Sequence, residues 1–193
     1  RGFLTEAGPG LAVTRLERTM GLCGMPEAEL TFTDHFVATD NMLDASFGDL
    51  MGAYNVQRIG AGTIALGVAS GAAMLARDHL LDRCQFDRPL AEFQGLQWIL
   101  ADMDTELAAA RLLLLDAAAS GILPDRIKAA RAKLLSSETA IRVVDRALQM
   151  FGAAGYGSDT PLERMYRDVR MFTIGGGTAQ VLRNQIAAHV LDR

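Results

Sequence analysis

The chain has 193 residues, half of them hydrophobic, and a formal net charge of -4. That length and apolar content allow a sizeable core, while an acidic balance with no lysine or arginine run excludes the electrostatic footprint of a nucleic-acid or anionic-membrane binder. Cys23 and Cys84 stand far apart with no metal-ligand spacing, which argues against a disulfide scaffold and suits a reducing compartment; no signal-peptide pattern is present, and cytoplasm is the expected location.

The chain begins without Met on RGFLTEAGPGLAV, in mid-pattern, and reads as a fragment. Residues 1–43 carry short alternating runs, LAVT at 11–14 and ELTFT at 29–33, between the turn residues Gly8, Pro9, Gly10, Gly21, Gly24 and Pro26. These predict strands, too few to close a sheet with its own core. From residue 44 the apolar spacing changes to three and four, and proline is absent until Pro89. Helices are predicted over about 47–81, 90–119, 124–151, 162–171 and 178–192, with Pro124 in a first turn. The uncharged run Ile59–Ala76 is just long enough to cross a bilayer, but Gly60, Gly62, Thr63, Gly67, Ser70 and Gly71 dilute it, so it reads as a buried helix. The expected architecture is mainly α: an up-down bundle of four or five helices over 44–193 behind an incomplete β segment over 1–43.

Local signals divide between plain and functional readings. The three glycines at 175–177 serve either as an interhelical turn or as a backbone that offers free N–H groups at the positive end of the helix that follows. QMFGAAGYG, 149–157, reads as a helix C-cap. RCQFDRPLAEFQGLQW, 83–98, is a charged junction in which Arg83 and Gln94 also suit an anionic diphosphate and a polar ring. His35, His79 and His189 share no metal spacing, so no metal site is expected. The methionines fall mostly in helical segments, where core packing accounts for them.

Taken together and in order, Arg83 with Phe86, Pro89 and FQxxQ (93–97), LADM (100–103), ALQMFGAAGY (147–156), ERMYRDVR (163–170) and IGGGTAQVLR (174–183) resemble the acyl-CoA dehydrogenase family. Upstream, residues 16–43 look like the end of that family's middle β-domain. The resemblance implies the C-terminal half of such an enzyme: the last β hairpins and the four-helix bundle that assembles into homotetramers. It implies FAD shared across subunits, held by Arg83, Phe86 and Gln94, by the Gln149, Phe151, Gly152 and Ala153 loop, and by Thr178 and Gln180 after the glycines. Arg58, Gly175 and Gly177 match positions beside the acyl-CoA thioester.

Members of the family abstract an α-proton from the thioester with a glutamate. In most it immediately precedes the Gly-Thr, where this chain has Gly176; in others it immediately precedes the arginine, where this chain has Gln57. Neither residue is a useful base. YNVQRIGAGTIALGVA (54–69), LAEFQGLQW (90–98) and MFTIGGGTAQVLR (171–183) are especially similar to the 3-sulfinopropionyl-CoA desulfinase branch, in which a glutamine replaces the base. That branch implies sulfite release from a sulfinate-bearing acyl-CoA, leaving propionyl-CoA. The sulfinate then needs a cation from outside these residues, and this stretch alone is not expected to turn over. The alternatives are an ordinary dehydrogenase whose base is elsewhere, such as Asp49, and a non-catalytic subunit of a heteromeric enzyme. On the last helix Val181, Leu182, Ile186, Val190 and Leu191 form an apolar stripe that suits either its own bundle or a neighbouring subunit.

Overall fold

The computed structural model describes residues 2–192; Arg1 and Arg193, the outer ends of the two expected segments, lie outside the described residues. Two strands come first, β1 Leu11–Leu16 and β2 Ala28–Phe32, paired antiparallel with a register shift between Val13 and Arg15. Nearly every residue of the pair is exposed, so this arm has no core of its own. It is pinned to the helices where the Leu22 N–H donates to Asp168 Oδ1 at 2.6 Å and Arg167 Nη1 donates to the Met20 carbonyl at 2.7 Å. Gly21 permits that approach, since a Cβ there would stand 2.5 Å from the Arg167 backbone.

Three long helices follow: α1 Phe47–Asp82, α2 Gln94–Ala118 and α3 Arg126–Phe151. Ser46 opens α1 with a capping box, its hydroxyl accepting from the Asp49 N–H while the Asp49 carboxylate accepts from the Ser46 N–H. Asn55 near the start of α1 reaches the Pro124 carbonyl before α3, and His79 near its end stacks on Phe151 at the end of α3. Thus α1 and α3 run parallel, and α2 returns between them. The shorter helices α4 Ala153–Tyr156, α5 Leu162–Val169 and α6 Ala179–Val190 complete the molecule, with α5 and α6 both packed on α3. The fold is mainly α, as the spacing predicts.

The core is built from small residues. Ala65, Ala69, Ala72 and Ala76 line one face of α1, and Ala132, Ala140, Val143, Val144 and Ala147 line the facing side of α3. By length and composition α1 is apolar enough to cross a membrane, but its buried row is the one that meets α3. The two helices pack tightly at Gly62, where a Cβ would lie 2.6 Å from Ser136 Oγ, with Leu114 Cδ2 of α2 at 3.0 Å.

Three local features depart from the expectation. Pro124 precedes α3 instead of entering its first turn, because the Asp125 carboxylate takes the cap and accepts from the N–H groups of Ile127 and Lys128. Between α1 and α2 the chain forms a tight hairpin, β3 Cys84–Gln85 with β4 Arg88–Pro89. The last helix begins one residue later than 178, since Thr178 is its cap and accepts from the Val181 N–H.

Candidate functional site

The sequence-predicted residues collect at two ends of the bundle. At the first, the glycine turn Gly175–Gly177 leads into α6 and lies over the early part of α1 and α3. Gly176 and Gly177 have φ of 74° and 98°, a region open to glycine and costly for other L-residues. The turn is held from beneath by two cations. Arg58 of α1 donates from Nε to the Gly176 carbonyl at 3.1 Å, and Lys133 of α3 donates from Nζ to the Gly177 carbonyl at 2.7 Å.

Both side chains are buried, Arg58 at 6% exposure and Lys133 at 0%. Arg58 Nη1 also donates to Asn55 Oδ1 at 2.9 Å and to Gln185 Oε1 of α6 at 3.3 Å, and its guanidinium lies over the Tyr54 ring. Burial, with the added charge of Arg58, brings the Lys133 ammonium down to a pKa of about 8. Among the described residues no carboxylate pairs with either cation. This is the electrostatic character of the site: two buried positive charges, each donating to a carbonyl of the glycine turn.

Gln57 precedes Arg58 on the exposed side of α1, while Gly175, Gly176, Gly177 and Thr178 are half-buried and Gln180 is exposed. A cavity of about 350 Å³ abuts the turn, lined in part by Met20, Leu22, Met25, Met171, Ile174 and Gly175. Asp49 is committed elsewhere: its carboxylate is locked in the α1 capping box, which lowers its pKa, and it lies nine residues before Arg58, roughly 13 Å along the helix at about 1.5 Å per residue.

At the second end, Arg83 caps α1, Phe86 sits at the hairpin tip with 86% exposure, and Gln94 starts α2. Phe86 and Asp87 both have positive φ, 53° and 61°, the backbone of a tight hairpin turn. The exposed Gln149 is in the last turn of α3, Gly152 with φ 59° ends that helix, and Ala153 begins α4. The Phe151 ring stacks on His79 at 4.0 Å, which brings this loop beside Arg83. Among the described residues neither the Arg83 guanidinium nor the Gln94 amide has a protein hydrogen-bond partner. Arg83, the cap of α1, lies 25 positions after Arg58, which separates the two ends by roughly 37 Å at about 1.5 Å per residue. One chain therefore does not bring the two groups together.

Lys133 is the functional candidate that sequence reasoning missed. Its signal was present: it stands in the apolar register of α3, between Ala129 and Ala130 on one side and Ser136, Ser137 and Ala140 on the other, all buried.

The chain is thus a mainly helical bundle with an apolar cleft beside a glycine turn, a helical domain with a candidate ligand site. The chain belongs to the acyl-CoA dehydrogenase family, whose C-terminal domain matches residues 47–191. It is 53% identical over 192 residues to 3-sulfinopropanoyl-CoA desulfinase of Paraburkholderia xenovorans, covering 96% of this chain and 49% of that protein. It is 40% identical over 197 residues to acryloyl-CoA reductase (NADH) of Anaerotignum propionicum, covering 99% of this chain and 50% of that one. The solved structure of butyryl-CoA dehydrogenase from Megasphaera elsdenii superposes with a TM-score of 0.95 at 35% identity, over 98% of this chain and 51% of the other. The chain thus spans about half the length of the relatives it matches.

Proposed function

We propose that this bundle serves an FAD-holding enzyme that releases sulfite from 3-sulfinopropanoyl-CoA and leaves propanoyl-CoA. The observation that carries the reading is the glycine turn: among the described residues no carboxylate pairs with the two cations beneath it, and by the family resemblance Gly176 and Gln57 match the two positions where the family keeps its glutamate. Similarity to a desulfinase at 53% identity supports the same choice over the reductase at 40%. In the reaction the carbon–sulfur bond breaks, C3 takes a proton, and the sulfur departs with an oxygen from water as sulfite. No electrons pass to an acceptor. A base strong enough to remove the α-proton would open the competing oxidation, and an amide at Gln57 does not supply one. Gln57 and Arg58 flank the thioester side, and Gly175, Gly176 and Gly177 leave room for it.

The residues present fit FAD. Arg83 and Gln94 are exposed with unused donors, Phe86 stands out at a hairpin tip, and Gln149, Phe151, Gly152 and Ala153 form an adjoining turn. Those groups suit a diphosphate and an aromatic ring. Thr178 and Gln180, at the other end, are placed for the flavin nucleotide. When bound, FAD supplies a hydride acceptor to family members that oxidise and a flat wall of the pocket in this reaction. Because the two ends of one chain are so far apart, one cofactor meets both only if neighbouring subunits are shared, as in a homotetramer. The α6 face supports this: Leu182 is buried, whereas Val181, Val190 and Leu191 are exposed. In this reading residues 1–43 are the end of a β-domain, residues 44–193 the bundle for cofactor and assembly, and the setting is cytoplasmic.

The test adds 3-sulfinopropanoyl-CoA to the purified, flavin-loaded protein and assays sulfite and propanoyl-CoA. Both are expected in equal amounts. Dye reduction on a simple acyl-CoA without sulfite would return the protein to dehydrogenation, and a colourless protein that FAD does not reconstitute would mark a non-catalytic subunit.

A further inference from the structure

Two successive carbonyls in the glycine turn each accept a hydrogen bond from a different buried cation. Arg58 reaches the Gly176 carbonyl from α1, and Lys133 reaches the Gly177 carbonyl from α3. The chain contains no cis peptide bond among the described residues. In a trans peptide the N–H points opposite the C=O, so the N–H groups of Gly177 and Thr178 face away from the cations. Among the described residues, neither donates to a protein acceptor. The turn therefore has a tethered underside and a free upper side.

Glycines at 176 and 177 place few steric limits on their own peptide planes. Arg58 has three hydrogen-bond partners, and removing it would disturb α1, α6 and the turn together. Lys133 has one, the Gly177 carbonyl. A fully buried ammonium without a counter-ion is costly to the fold, and an unbranched apolar chain would fill the same space at lower cost. What the lysine adds is a charge-assisted hydrogen bond, stronger than a neutral one, to a single backbone oxygen.

We propose that Lys133 is a positioning residue: from the middle of α3 it fixes the Gly177–Thr178 peptide, and through it the face that the glycine turn presents to the thioester. This rests on the acyl-CoA reading of the site but not on the choice of desulfination. The cost of burying the ammonium is the same fact that brings its pKa down to about 8.

The experiment compares wild type with Lys133→Met in the complete, flavin-loaded protein. It measures the thermal midpoint, kcat and KM for sulfite release, and the shift of the flavin visible band on adding propanoyl-CoA. Positioning predicts a midpoint unchanged or raised, kcat lowered at least tenfold with KM changed less than threefold, and an altered band shift. A lowered midpoint with kcat and band shift retained would overturn the proposal in favour of a purely structural lysine, and so would no change in any readout. Should Lys133→Met fail to fold, Lys133→Gln, which keeps a neutral donor on a shorter chain, is read the same way; failure of both to fold also overturns it. The band shift needs no turnover. If wild type releases no sulfite while the variant still alters the shift, the desulfinase reading falls and the role of Lys133 stands.

Discussion

Glu106 on α2 sits between Arg142 and Arg146 of α3, with an oxygen 2.8 Å from each guanidinium. Burial alone would raise its pKa, but the hydrogen bonds and charges of the two arginines outweigh it and hold the carboxyl below its ordinary 4.5. A folded pKa below the unfolded one means that this group's stabilisation is fully present above about pH 4.5 and lost as pH falls through the folded value. Between pH 6 and pH 3 the thermal midpoint of Glu106→Gln should therefore fall less steeply than that of wild type. Beside the glycine turn, Gln57→Glu introduces a carboxylate at a helical position free of backbone strain, whereas a glutamate at 176 would have to adopt φ of 74°. Since a general base contributes typically 10²–10⁴-fold, Gln57→Glu should raise acyl-CoA-dependent dye reduction by about 10²-fold or more and depress sulfite release. At this scale the sequence identified candidates by residue type and position. Gly176, Gln57 and Arg58 were legible because each interrupts or accompanies a motif. Lys133 was missed although it stands in the apolar register of α3, because a lysine among alanines and serines reads as a solvated position until α1 and the glycine turn close over it.

The helices were legible because their causes are local. Apolar residues repeat at three and four, and Gly152 stops α3 at positive φ; the caps at Asp125 and Thr178 moved the starts of α3 and α6 by only one or two residues. The hairpin at 84–89 was not, since its pairing is two residues long and its sharp turn uses Phe86 and Asp87 in place of glycine. The approach of α1 to α3 was equally hidden: Gly62 looks like one of several glycines diluting a helix, and only the fold shows Ser136 and Leu114 against it. Gly62→Ala, with a new carbon 2.6 Å from Ser136 Oγ, should lower stability by about 1–3 kcal/mol in a urea titration, the range for overpacking a core. Ser136→Ala in that background should recover part of the loss. Because Arg58 lies four residues before Gly62, and Lys133 three before Ser136, this contact also sets the spacing of the two cations.

At the scale of the whole molecule, the bundle has a core of its own, while the β1–β2 arm holds to it through Gly21, Leu22 and α5 and leaves most of its residues to be covered. That asymmetry was partly visible in the change of periodicity near residue 44. The distance between the ends of α1 was not foreseen, although it follows from simple counting once the helix is known to be unbroken from Phe47 to Asp82. Its consequence is genetic. If each reaction centre draws one end from one subunit and the opposite end from another, Arg58→Met and Arg83→Ala damage different halves of the same centre. Either variant alone should be inactive, yet co-expression should yield mixed assemblies in which some centres receive two undamaged halves, and a measurable fraction of activity should return. Complementation between two dead alleles would then be the phenotype of one long, uninterrupted helix.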